Sequence, residues 1–217
     1  NGERSFQYWR EQSAARYLLT GDAYDKELAS LADIDYLYLS GISLAILPRH
    51  DRQKLIDGLV RAKEQGSKIW FDSNYRHKLW ASTDEAQLWY RKILQITDIA
   101  FLTFDDECQL WGDSSPEDVF ARCRFYGIPE VVLKRGEDSC LIETNDKKYA
   151  VKAIRIPSEK VIDTTAAGDS FNAGYLASRL QGEMLPAECA VLGHCLASEV
   201  IQHRGAIISR KLVDGLF

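Results

Sequence analysis

The chain has 217 residues, 46% of them hydrophobic, with 27 Lys and Arg against 32 Asp and Glu and a formal net charge of −5. That suffices for one large α/β domain with a real core, and mixed charges with no basic clustering exclude a nucleic-acid surface. No apolar run approaches the ~20 residues of a membrane span, no signal peptide opens the chain, and five irregularly spaced cysteines without a CxxC pair fit free thiols of a cytoplasmic protein.

The chain lacks an initiator Met and opens in mid-phrase with "NGERSFQYWR", so it reads as an N-terminally incomplete piece. Residues 4–10, "RSFQYWR", have a period of two, with Phe6, Tyr8 and Arg10 on one face. The runs "YLYLSG", "KIWFDSNY", "IAFLTF" and "EVVLKRG" lack clean alternation, as expected of strands buried on both faces of a parallel sheet. Helical patterns lie between them, for example Leu55, Ile56, Leu59 and Val60, ended by Gly66. In "CLIETNDKKYAVKAIRIP" two short runs flank "TNDKK" as in a hairpin. Two helical stretches follow, the first from "DSFNAGYL" to Gly182 and the second "PAECAVLGHCLASEVIQH". Alternating strands and helices, with no linker or repeat, predict a single α/β domain over 1–217 with a mostly parallel central sheet flanked by helices.

Ligands of such sheets bind beyond the carboxyl ends of the strands. Those ends carry Ser40-Gly41, "DSNYR" (Asp72 to Arg76), "TFDDE" (Thr103 to Glu107), "KRGEDS" (Lys134 to Ser139) and "DTTAAGDS" (Asp163 to Ser170). In the last, Ala166, Ala167 and Gly168 lead into a helix. Its unpaired N–H groups and positive dipole end can hold a phosphate or a developing negative charge, and small side chains let the anion approach the backbone. Asp169 at the same turn would repel phosphate, but as a general base it can accept the proton of an attacking hydroxyl. Read alone, it is a helix cap.

The string "DTTAAGDSFNAGYL" resembles the D-T-x-G-A-G-D signature of the ribokinase-like carbohydrate kinases, and the resemblance runs the length of the chain through "YLYLSGISLAIL", "SNYRHKLW", "FLTFDDE" and "VVLKRGEDSCL". It implies a ribokinase-like fold, with residues 4–10 as a lid or sugar-facing strand. It also implies ATP as cofactor with Mg2+, Asp169 as catalytic base, and an anion hole from the backbone of Ala166, Ala167 and Gly168. Asn74, Lys134, Gly136 and Ser139, with Ala167 and Gly168, would lie beside the nucleotide. Glu107 would order Mg2+ through water, although Phe104 replaces the family's Asn. Asp163 and Thr165, with a late Gly205-Ala206, match positions that surround a monovalent cation such as K+ in some relatives. Ala166 stands where glycine is usual and Ala tolerates φ > 0 poorly, so the loop's local conformation is the expected departure.

The resemblance is closest to family members acting on keto-deoxy sugar acids, such as 2-keto-3-deoxygluconate. A sugar acid needs a cation for its carboxylate. Tyr8 and Arg10 on one strand face, with Arg76 at a strand end, are the candidate acid readers, because a planar guanidinium pairs with a carboxylate in two bonds. A neutral sugar such as fructose, or a non-catalytic nucleotide- or sugar-binding module, remains an alternative, and a homo-oligomer is compatible with all three. By themselves, "KRGEDS" is an exposed turn, Asp105 to Glu107 a solvated acidic helix start, and Asp163 the anchor of its own turn. The four histidines fall into no ligand spacing.

Overall fold

A computed structural model of the chain describes residues 13–21, 24, 28, 30–182 and 184–215. Residues 4–10, with Tyr8 and Arg10, lie outside the described residues. The chain divides into two compact units, with the division between Leu133 and Lys134.

In the first unit, strands β1 (Tyr36–Ser40), β2 (Lys68–Asp72), β3 (Ile99–Thr103) and β4 (Glu130–Lys134) lie side by side in chain order. Residues 36–40 of β1 run parallel to residues 68–72 of β2, and Trp70 to Asp72 run parallel to Ile99 to Phe101. Five helices connect them: α1 (Gly41–Ile46), α2 (Arg49–Glu64), α3 (Thr83–Leu94), α4 (Phe104–Trp111) and α5 (Pro116–Phe125). Their starts are written locally. Ser82 caps α3, and Ser115 and Asp118 form a capping box on α5 with Pro116 in its first turn. Helix α3 buries Ala86, Trp89, Tyr90, Ile93 and Leu94, a stripe at helical spacing.

Strands β2, β3 and β4 are buried except at an end, as their apolar runs predict. Ile69, Phe71 and Phe101 have no exposed surface, and each such side chain contributes about 1.5–3 kcal/mol by burial. Strand β1 departs from the expectation of burial on both faces. It is an edge strand among the described residues, and Tyr36 and Tyr38 on one of its faces are 47% and 44% exposed while Leu39 on the other is buried. A tyrosine suits that half-wet position: the Tyr36 ring leans on Trp70 at 4.7 Å between centroids while its hydroxyl can remain in water.

The second unit begins at Lys134. Strands β5 (Cys140–Thr144) and β6 (Lys148–Val151) pair antiparallel, with Ile142 opposite Tyr149, so "TNDKK" does close a hairpin. Helices α6 (Ala167–Arg179) and α7 (Pro186–Val200) follow, then a short α8 (Arg210–Val213). Helices α6 and α7 pack backbone to backbone. A Cβ on Gly174 would stand 2.8 Å from the Leu192 carbonyl oxygen, and one on Gly193 2.8 Å from that of Phe171. Any larger residue at either position would push the pair apart, so two glycines fix how closely α7 supports the helix that starts at the signature loop.

Candidate active site

In the second unit the chain reaches α6 through a tightly tied loop. The backbone N–H groups of Ile162 and Asp163 donate to the Ile201 carbonyl at 2.9 and 3.1 Å. Asp163 is buried, and its carboxylate accepts the Thr165 N–H at 3.0 Å and the Gly205 N–H at 2.8 Å. It therefore orders its own turn and also joins the loop to the Gly205-Ala206 turn. Ala166 then takes φ 59° and ψ 18°, the left-handed conformation at which the sequence departs from the usual glycine.

The first turn of α6 has no capping side chain. The Ala167 N–H donates to Thr164 oxygen at 3.3 Å, while those of Gly168 and Asp169 belong to the helix positions that lack an intrahelical acceptor. Gly168 and Asp169 are exposed. Lys134, the last residue of β4, brings its ammonium beside them: a Cβ on Gly168 would stand 3.5 Å from Nζ. The same Nζ donates to Asn172 Oδ1 at 3.1 Å, and Asn172 is 1% exposed. Asp169, two backbone amides and a lysine ammonium are thus gathered at one helix start. Gly136, at φ 58°, opens an exposed turn closed by a hydrogen bond from Arg135 Nε to Ser139 oxygen at 2.9 Å.

Beside this helix start lies a cavity of about 520 Å³, mostly apolar, whose wall includes Gly136, Val161, Thr164, Ala167, His194 and Ile201. Burial lowers the His194 pKa, opposed by a hydrogen bond with the Val151 backbone, so the ring is neutral at neutral pH. It stacks edge-on against Phe171 at 4.9 Å, and its Nε2 is buried without a hydrogen-bond partner among the described residues. A shaped, partly apolar space with an orphaned ring nitrogen, next to amides and a cation, fits the nucleoside and phosphates of ATP. The sequence, with four histidines in no ligand spacing, does not single out His194. The helical spacing of His194, Ala197, Ser198 and Ile201 on one side of α7 was the available signal.

In the first unit the strand ends are clamped. Ser40 caps α1, and a Cβ on Gly41 would collide with the Tyr90 hydroxyl and the Ser73 carbonyl, which are hydrogen-bonded to each other. Asn74 follows at φ 33° with its Oδ1 buried and unpartnered among the described residues. Strain of this kind persists only where neighbours over-determine it. They do here, because the Tyr75 N–H donates to Asp106 Oδ2 at 3.2 Å and the Ser73 N–H to the Phe101 carbonyl at 2.9 Å. Arg76 is half exposed, held by its own bond to the Tyr75 carbonyl at 2.8 Å and 3.6 Å from Asp106.

Glu107 is not solvated, as an acidic helix start would be. It is 1% exposed, and Arg122 on α5 reaches it at 2.7 Å while also pairing with Asp113. Burial pushes its carboxyl up to about 7, against the pull of Arg122 and Ser73. Among the described residues no three His, Cys, Asp or Glu side chains converge as a metal cluster.

Parallel strands with polar carboxyl ends, and a helix start carrying an aspartate, small residues and a lysine, are the parts of an α/β phosphotransferase. Residues 1–212 match the model of the pfkB family carbohydrate kinases, and the chain belongs to that family. It is 53% identical over 211 residues to the 2-dehydro-3-deoxygluconokinase of Escherichia coli K12, which covers 97% of this chain and 68% of the relative. The crystal structure of a PfkB protein from a Polaromonas species superposes with a TM-score of 0.76 at 23% identity, over 95% of this chain and 65% of that one. Aminoimidazole riboside kinase from Salmonella enterica, solved with aminoimidazole riboside and an ATP analog, gives 0.72 at 26% identity, over 84% and 63%. The chain thus spans about two thirds of the length of these relatives, and the fold is ribokinase-like.

Proposed function

We propose that the chain belongs to an ATP-dependent kinase that phosphorylates 2-keto-3-deoxygluconate to its 6-phosphate, with both units forming one ribokinase-like kinase domain over residues 1–217. The observation that carries the reading is the α6 start, where exposed Asp169 sits with open amides and the Lys134 ammonium. The match to a 2-dehydro-3-deoxygluconokinase at 53% identity supports the choice of sugar acid.

In this mechanism Asp169 accepts the proton of the sugar's 6-hydroxyl as the oxygen forms its bond to the γ-phosphorus and the bond to the ADP leaving oxygen breaks. The amides of Gly168 and Asp169, with Lys134, stabilise the charge on the transferring group, and the Ala166 turn presents them. The cavity beside His194 takes the nucleoside; Asn74, Gly136 and Ser139 complete the nucleotide contacts. When bound, Mg2+ neutralises phosphate charge, and Glu107 orders its water shell. Asp163 and Thr165 shape the place of a monovalent cation, K+. Tyr8, Arg10 and Arg76 read the carboxylate. The setting is the cytoplasm, and no helix among the described residues is long and apolar enough to cross a membrane.

ADP release measured over a panel of acceptors with ATP and Mg2+, beside calorimetric ATP binding, tests this. We expect turnover with 2-keto-3-deoxygluconate at a kcat/KM well above that for fructose. A preference for fructose would overturn the acid assignment, and ATP binding with no turnover on any acceptor would overturn the kinase reading.

A further inference from the structure

The buried carboxamide of Asn172 has no part in the proposed function as stated. Resting on that reading, we propose that Asn172 is a positioning residue, which holds the Lys134 ammonium at the anion-binding start of α6. Asn172 lies one turn after Asp169, on the same side of the helix. It is 1% exposed, and its Oδ1 accepts from Lys134 Nζ at 3.1 Å, across 38 residues of sequence.

Asparagine is a poor helix former, and a buried carboxamide is unfavourable without partners, so packing alone would favour an apolar residue of similar volume here. What Asn supplies is an acceptor at a fixed point. Lys134 has a long flexible stem, and the bond to Asn172 Oδ1 fixes one direction of its ammonium. The chemistry of the acceptor also matters. A carboxylate would hold the ammonium equally well but cancel its charge, whereas a neutral carboxamide orients it and leaves the positive charge to act on phosphate. Asn172 thereby acts through Lys134.

The test uses the full-length protein and three variants: Asn172→Asp, Asn172→Leu and Lys134→Met, with the Asn172→Leu/Lys134→Met double variant. Asn172→Asp is nearly isosteric and converts the contact into an ion pair. It should weaken calorimetric MgATP binding by about tenfold to a hundredfold with no loss of melting temperature, the range expected for altering a charged hydrogen bond. Asn172→Leu should lower kcat/KM for ATP by a similar factor, and the double variant should be no worse than Lys134→Met, since both changes disable one ammonium. Unchanged MgATP binding in folded Asn172→Asp would overturn the positioning role. So would an Asn172→Leu effect that persists undiminished in the Lys134→Met background, because a purely structural role predicts additivity. Failure of the parent protein to bind MgATP would instead overturn the kinase reading itself.

Discussion

Ala166 offers a quantitative check on the loop that leads into α6. Its φ of 59° places an L side chain in the left-handed region, which brings Cβ close to the following carbonyl and costs about 1–2 kcal/mol. Glycine there escapes that penalty, yet it loses about 0.4–1 kcal/mol more conformational freedom on folding than alanine does. Ala166 is also the N-cap of α6, a position where glycine is better tolerated than alanine. The balance favours Ala166→Gly by about 0.5–1 kcal/mol, which in a chain of this size raises the melting temperature by about 1–4 °C. Thermal melting and urea titration read this directly, and the urea slope should not change because no surface is newly exposed. A loss of 1 kcal/mol or more would show that Ala166 does not adopt the left-handed conformation, and the account of how the amides are presented would fail with it.

Arg76→Ala, and likewise Arg10→Ala, should raise KM for 2-keto-3-deoxygluconate by about tenfold to a hundredfold with KM for ATP nearly constant. Stability should hardly move with Arg76→Ala, since its ion pair with Asp106 is half exposed and worth under about 1 kcal/mol. Equal changes in both KM values would remove these arginines as acid readers. Glu107, raised to about 7 from 4.5, binds its proton more tightly when folded, so it makes stability fall as pH rises from about 4.5 through about 7. Glu107→Gln should flatten the pH dependence of the urea midpoint in that window, and an unaltered profile would show that Glu107 is ionised throughout.

Strands β2 to β4 and the hairpin were legible because their signals are local: apolar runs of five or so residues, and a polar turn between two short strands. The exposure of β1 was not, because "YLYLS" has the composition of a buried strand, whereas among the described residues it is an edge strand with Tyr36 and Tyr38 half wet. The helix-start motif carried Asp169 and the small residues, since its spacing is contiguous. What it could not reveal were partners brought together by folding. Lys134 meets Asn172 across 38 residues, and Glu107 loses its solvation because Arg122, 15 residues on, folds back over it. The cavity at His194 depends on how α7 packs against α6, which two glycines decide at close range.

The central claim is that Asp169 is the general base, and kcat of Asp169→Asn tests it most directly. Asn is nearly isosteric and well tolerated in a helix's first turn, so fold and ATP binding should survive while the 6-hydroxyl loses its proton acceptor. The amides of Gly168 and Asp169 and the Lys134 ammonium would still stabilise the transferring group, so some turnover should remain. Positioned proton transfer contributes about 10²–10⁴-fold, and kcat should fall by that factor, with KM for ATP and the melting temperature close to those of the parent. Activity within a few-fold of the parent, in a protein that melts normally, would make Asp169 a helix-start residue without a catalytic part and would contradict the account.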